Sequence, residues 1–173
     1  MDASRVQELF RRAVASDDAA AMRDGLERML GLGAHGGLSP EREYGLRRPD
    51  FVMDMPQSGE RIHGREPLRT MQEAFPAPAP AITLRKVTGG RHVWIAEADI
   101  DYGGDQTQAV IIFELDDQGL IARETRYYPQ RLQVPAWRAS PDADHAGRSR
   151  AHQEGGQARM IAAETHEIGS RLA

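Results

Sequence analysis

Three side chains in this sequence have types and settings suited to proton transfer: Asp54, Glu124 and His63. Asp54 stands inside the apolar run Phe51-Val52-Met53-Asp54-Met55. A carboxyl among apolar neighbours has its charged form disfavoured, so its pKa rises toward the range in which it can take a proton from carbon. The plainer reading of Asp54 is a carboxylate capping the turn at Pro56. Glu124 alternates with Ala122, Arg126 and Tyr128, which places a carboxylate beside a guanidinium that would keep it ionised. That face either offers a second acid/base group to a cavity or carries an ion pair that buttresses the sheet. His63, just before Gly64, has the chemistry of a proton shuttle, although a lone histidine beside a turn more often bonds at the surface.

A binding wall is legible near these groups. Trp94, Ala96, Ala98, Ile100 and Tyr102 share one parity of an extended run, and Glu97, Asp99 and Asp101 share the other. Ala96 and Ala98 beside Trp94 leave space that a curled sheet would otherwise fill with larger side chains. Ile111, Phe113, Arg126, Tyr128 and Trp137 complete the expected lining of a site for a small hydrophobic ligand. Asp99 and Asp101 belong to the opposite parity, so they read as an outer face and not as a metal or acid pair. The tail histidines His145, His152 and His166 have no partner carboxylate at ligand spacing, so neither metal nor cofactor is expected.

Composition narrows the classes. The chain has 173 residues with 22 basic and 26 acidic side chains, a net charge of -4 and no basic stripe, which argues against nucleic acid or an anionic membrane surface as partner. The absence of cysteine excludes disulfides, thiolate metal sites and a cysteine nucleophile. No apolar run approaches the roughly 20 residues of a membrane-spanning helix. The opening Met1-Asp2-Ala3-Ser4 leads straight into charged helix without the apolar segment of a secretory signal, so a cytoplasmic location is expected.

The elements that must hold the site follow from periodicity. Val6, Leu9, Phe10, Ala13 and Val14 draw one helical stripe, capped by Asp2 or Ser4; Met22, Leu26, Met29 and Leu30 draw a second after Ser16-Asp17-Asp18, ended by Gly31 and Gly33. Ser39-Pro40-Glu41 reads as a short helical turn, 51–55 as a strand, 60–63 as an edge strand, and Leu68, Met71 and Phe75 as a third helix after Gly64. Pro76, Pro78 and Pro80 stop that helix before a strand at 82–88, which Gly89-Gly90 turns into a meander over 91–128. Within the meander, Val110, Ile111, Ile112 and Phe113 are apolar at both parities, the mark of a strand covered on both faces. Gly103-Gly104-Asp105 and Asp116-Asp117-Gln118-Gly119 supply its turns. Helices segregated from consecutive antiparallel strands argue α+β: a conical barrel of one curled antiparallel sheet, with three helices from the N-terminal half on its concave face. Residues 1–138 form this domain, and 139–173 form a polar, disordered tail whose 160–172 stretch has weak helical spacing.

The segment Phe51-Val52-Met53-Asp54-Met55-Pro56-Gln57-Ser58-Gly59-Glu60-Arg61-Ile62-His63-Gly64-Arg65-Glu66, with the ending Arg123-Glu124-Thr125-Arg126-Tyr127-Tyr128-Pro129 and Val134-Pro135-Ala136-Trp137-Arg138, resembles the SnoaL-like polyketide cyclase branch of the nuclear transport factor 2-like superfamily. The resemblance covers about residues 4–138. It implies a pocket between sheet and helices and places Asp54 near the general-base aspartate of that superfamily's ketosteroid isomerases. The two oxyanion donors of those isomerases fall at Leu9 and Ile111, neither of which can donate, so a steroid-type isomerase is disfavoured. Two classes remain: a cyclase or isomerase using Asp54 and Glu124 on a polyketide-like or other enolisable carbonyl compound, and a non-catalytic ligand-binding or dimerisation module. A homodimer through the outer sheet face is expected, because Val110 and Ile112 would otherwise meet water.

Overall fold

The computed structural model describes residues 2–32, 37–74, 79–129 and 135. All its elements lie in Met1–Arg131, the first of two units into which the chain divides. Trp137, Phe75, Pro76, Pro78 and the tail 139–173 lie outside the described residues.

Two helices, each with one apolar stripe, open the chain. Helix α1, Ala3–Ser16, buries Val6, Leu9, Phe10, Ala13 and Val14, and Asp2 caps it by accepting from the Ser4 amide at 3.0 Å. Helix α2, Ala19–Leu30, is capped by Asp18, which accepts from the Ala21 amide at 2.9 Å, and is closed by Gly31 at φ 70°. The two helices touch at Gly25, where a Cβ would stand 2.6 Å from the Phe10 ring. Then follow α3 (Pro40–Tyr44), β1 (Arg47–Met55), β2 (Glu60–His63), α4 (Arg65–Glu73), β3 (Ala81–Gly90), β4 (Val93–Asp101), β5 (Gln106–Leu115) and β6 (Ile121–Tyr127).

The strands make one six-stranded sheet in the order β2-β1-β6-β5-β4-β3. Every pairing is antiparallel except β1 with β6, which is parallel. The expected α+β fold on one curled, mainly antiparallel sheet is present, with β1–β6 as the parallel pair within it. A hairpin can join only antiparallel neighbours, whereas β1 reaches β6 through a long crossover that contains β2, α4 and the meander.

Register assigns the faces. Met53, Glu124, Phe113 and Trp94 are successive cross-strand partners, and all four are buried. Val87, its partner Ala96, Ile111 and Arg126 form the next row, and Leu84, Ala98 and Ala109 the one after. This inner face meets α1, α2 and α4 in one core that contains Phe10, Met22, Leu26, Leu68, Phe51 and Trp94. Asp54, Arg123, Val110, Ile112, Ile95 and Glu97 have the opposite parity and form the outer face.

Two boundaries differ from the periodicity reading. Strand β1 begins at Arg47 and not Phe51, and its pairing with β6 shifts register between Arg47 and Val52, a span that contains Pro49, whose missing N–H cannot join a ladder. Gly89 and Gly90 end β3 while Arg91, at φ 49°, makes the turn. The side chain of Asp17, at the α1–α2 corner, accepts from the Arg91 amide at 2.6 Å and ties that turn to the helices.

Candidate functional site

The inner face carries a buried ionic group in its middle. Glu124 is fully buried, and each of its oxygens accepts from a different arginine: Oε1 from Arg47 Nε at 2.9 Å, and Oε2 from Arg126 Nε at 2.8 Å. Arg47 is itself 2 % exposed; its guanidinium lies 5.7 Å from the Tyr44 ring centre and 5.6 Å from that of Phe51 and donates to the Glu43 carboxylate at 3.1 Å. The Tyr128 side chain lies beside the Arg126 guanidinium. Burial alone would push the Glu124 pKa up, but the charges of Arg126 and Arg47 and their hydrogen bonds outweigh it and hold the carboxyl below its ordinary value. Arg126 is held above its ordinary value despite burial, chiefly by Glu124. Glu124 is thus an ionised carboxylate with both oxygens engaged and little capacity to take a substrate proton. Of its two sequence readings, the geometry matches the buttressing ion pair.

Asp54 is on the other face. Its row partner on β6 is Thr125, one residue out of phase with Glu124, so the two carboxylates do not meet. Arg61 on β2 binds Oδ1, and Arg123 Nη1 donates to Oδ2 at 2.9 Å. The hydrogen bond from Arg61, with the nearby Arg123 charge, lowers the Asp54 pKa despite partial burial, the reverse of the shift expected from an apolar run. The apolar neighbours Phe51 and Met53 point to the core, and Asp54, expected as the general base, points away from it toward Arg61 and Arg123. His63, the expected proton shuttle, is exposed on β2 opposite Val52, again on the outer side.

The expected wall residues do share the inner face, but they divide. Trp94 is fully buried, its indole N–H donates to the Arg91 carbonyl at 2.7 Å, and with Phe113 and Ala96 it is packed into the continuous core. Beyond Ala96 the face continues through Ala98, Ala109 and Ile100, which are buried yet lie outside that core. Ile111 and Arg126 border this end, each partly exposed. Arg47 was missed by the sequence reading; its parity with Phe51 and Met53 was the available signal. Among the described residues no group of three or more His, Asp or Glu is gathered to hold a metal, and no helix is long and apolar enough to cross a membrane.

No protein family description matches the sequence, and no curated protein matches it. Solved structures do. An NTF-2 like protein of unknown function from Burkholderia xenovorans is 25 % identical over 78 % of this chain and 90 % of its own, with a TM-score of 0.52. A candidate ketosteroid isomerase from Kribbella flavida is 18 % identical over 86 % and 92 %, with a TM-score of 0.54. The chain has the nuclear transport factor 2-like fold. A steroid delta-isomerase from Pseudomonas aeruginosa shares that nuclear transport factor 2-like fold, at 16 % identity over 65 % of this chain and 80 % of its own with a TM-score of 0.51.

The placement of Asp54 on the outer face has a measurable consequence. Asp54→Asn should lower stability by no more than about 1 kcal/mol, as for an ion pair near the surface. Chemical denaturation checks this, and a loss several times larger would show that the carboxylate organises the β1–β2–β6 edge.

Proposed function

We propose that the protein binds a small, mainly apolar molecule at the Ala98–Ala109 end of the inner sheet face, without using Asp54 or Glu124 as acid or base. The observation that carries this reading is that Ala98, Ile100 and Ala109 are buried outside the helix-packed core, beside partly exposed Ile111 and Arg126. Apolar side chains with a few polar groups at their border are the usual composition of a ligand site. The SnoaL-like resemblance of 51–66 favours a polyketide-like ligand. Cyclase or isomerase chemistry would need a base other than Asp54, which is salt-bridged on the far face, and other than Glu124, which is held ionised by two arginines.

The test uses a neutral apolar fluorophore, N-phenyl-1-naphthylamine. It should bind the wild-type protein, and Ala98→Leu or Ala109→Leu should abolish binding by filling the space. A folded leucine variant at both positions in turn that still binds would overturn the reading.

We also propose that two copies pair through the outer sheet face. Ile95 and Ile112 are cross-strand partners there, next to the pair Val110 and Tyr127, while Val93 is 48 % and Tyr127 39 % exposed. Ion pairs such as Arg123 with Glu114 and Lys86 with Glu97 border this apolar strip. Burying the strip against its own symmetry mate removes apolar surface from water on both copies. Light scattering should report a dimer for the full chain and for the chain lacking 139–173, and Ile112→Lys should shift it to monomer. A monomeric full-length protein would refute the pairing; a truncated protein that became monomeric would show that the tail supplies the contact.

A further inference from the structure

We propose that the inner-face ligand carries a single carboxylate, received by the Arg126 guanidinium and the Tyr128 hydroxyl as a head-group subsite. This rests on the ligand-binding reading above and adds the chemical class of the ligand.

The charge distribution around Glu124 is uneven. Arg47 has two carboxylates, Oε1 of Glu124 and Oε1 of Glu43. Among the described residues Arg126 has only Oε2 of Glu124, a carboxylate whose single charge it shares with Arg47. Among the described residues its other side-chain partner is the neutral hydroxyl of Tyr128. A guanidinium whose side chain is 11 % exposed and incompletely neutralised attracts a further anionic oxygen. The neutral Tyr128 hydroxyl stands beside Arg126 and has an O–H to donate. One cation and one neutral donor therefore stand together.

Their position suits an apolar acid. Arg126 pairs with Ile111, which pairs with Ala96, and Val110, the neighbour of Ala109, pairs with Tyr127, the residue before Tyr128. The two polar groups thus stand at the border of the alanine-lined end of the face. Desolvation sets the charge of the guest: at a guanidinium only 11 % exposed, a dianion gives up more hydration than a monoanion, which favours a carboxylate over a phosphate monoester.

The test compares 2-naphthoate with 2-naphthamide, equal in shape and different in charge, on the full chain and on Tyr128→Phe, by titration calorimetry and by chemical shifts of the Ala96, Ala98 and Ala109 methyl groups. The naphthoate should bind about tenfold more tightly than the amide, the ratio expected of one charge-assisted hydrogen bond. Tyr128→Phe should weaken naphthoate severalfold and leave naphthamide unchanged, a discrimination that a merely structural tyrosine would not produce. Equal affinities, an unaffected Tyr128→Phe variant or shifts away from the alanines would overturn the subsite. If N-phenyl-1-naphthylamine binds while naphthoate does not, the subsite alone fails; if none of the three binds, the ligand-binding reading fails with it.

Discussion

Glu124→Gln should lower stability by about 3–5 kcal/mol, the cost of removing one partner from a buried ionic group. The amide keeps the carboxyl's shape but leaves the Arg47 and Arg126 guanidiniums without their shared counter-charge inside the sheet–helix layer. It also turns an N–H₂ donor toward one of two groups that can only donate. Urea denaturation would read the change as a lower midpoint with an unchanged slope. The triple replacement Arg47→Met, Glu124→Leu, Arg126→Met should restore stability to the wild-type level or exceed it by about 1–4 kcal/mol, because it removes the charges together and keeps the volume. A Glu124→Gln protein as stable as wild type would show that the ionic group contributes nothing. The pH dependence has a definite sign. Folding lowers the Glu124 pKa from an ordinary 4.5, so its contribution is complete above that value and is lost as pH falls below it. Asp54, lowered from 3.8, adds a loss at more acid pH. The decline in stability below pH 4.5 should therefore be shallower in Glu124→Gln than in wild type.

The parts of the fold legible in the sequence are those whose burial repeats locally. The five buried residues of α1 are the stripe Val6, Leu9, Phe10, Ala13 and Val14, and the buried members of β4 are Trp94, Ala96, Ala98 and Ile100. In each case the buried face is apolar throughout while charged residues fall only on the other, so spacing fixes orientation even though Val93 and Ile95 add apolar side chains to the outer parity of β4. Strand β1 gave no such guide. Val52 and Met55 make both parities of its C-terminal half partly apolar, so the direction of Asp54 was open until β6 paired with it and Arg123 approached from the outer side. Glu124 could be placed on the inner parity from its own strand, but its charge state could not. Arg47 lies 77 residues away in the sequence and reaches it only through the parallel β1–β6 pairing, which no local pattern announces. The resemblance to ketosteroid isomerases directed attention to position 54, whereas the polar group actually held among the core residues is assembled from Arg47, Glu124 and Arg126.

Gly119→Ala should cost about 2–5 kcal/mol, combining about 1–2 for a side chain in the left-handed region with about 1–3 for overpacking. Gly119 has φ 73° in the β5–β6 turn, where Asp116 Oδ1 accepts from the Gln118 amide at 3.0 Å and the Leu120 amide at 2.9 Å. A Cβ there would stand 2.6 Å from the Gln7 carbonyl oxygen and 2.7 Å from the Arg11 amide nitrogen, both backbone atoms of α1 that no side-chain rotation can move aside. Gln7 Nε2 also donates to the Gln118 carbonyl at 3.0 Å, so turn and helix are joined by a contact and a hydrogen bond. Gly59 provides the control, with φ 76° and nothing within 4 Å of a built Cβ, so Gly59→Ala should carry only the left-handed cost. The difference between the two variants measures how firmly the turn seats α1. Because Leu9 and Phe10 of α1 belong to the core that contains Trp94 and Phe113, displacing the helix should loosen the inner face and weaken ligand binding in Gly119→Ala but not in Gly59→Ala. Equal losses of stability in the two proteins, with binding retained in both, would show that the contact between turn and helix does not position the face.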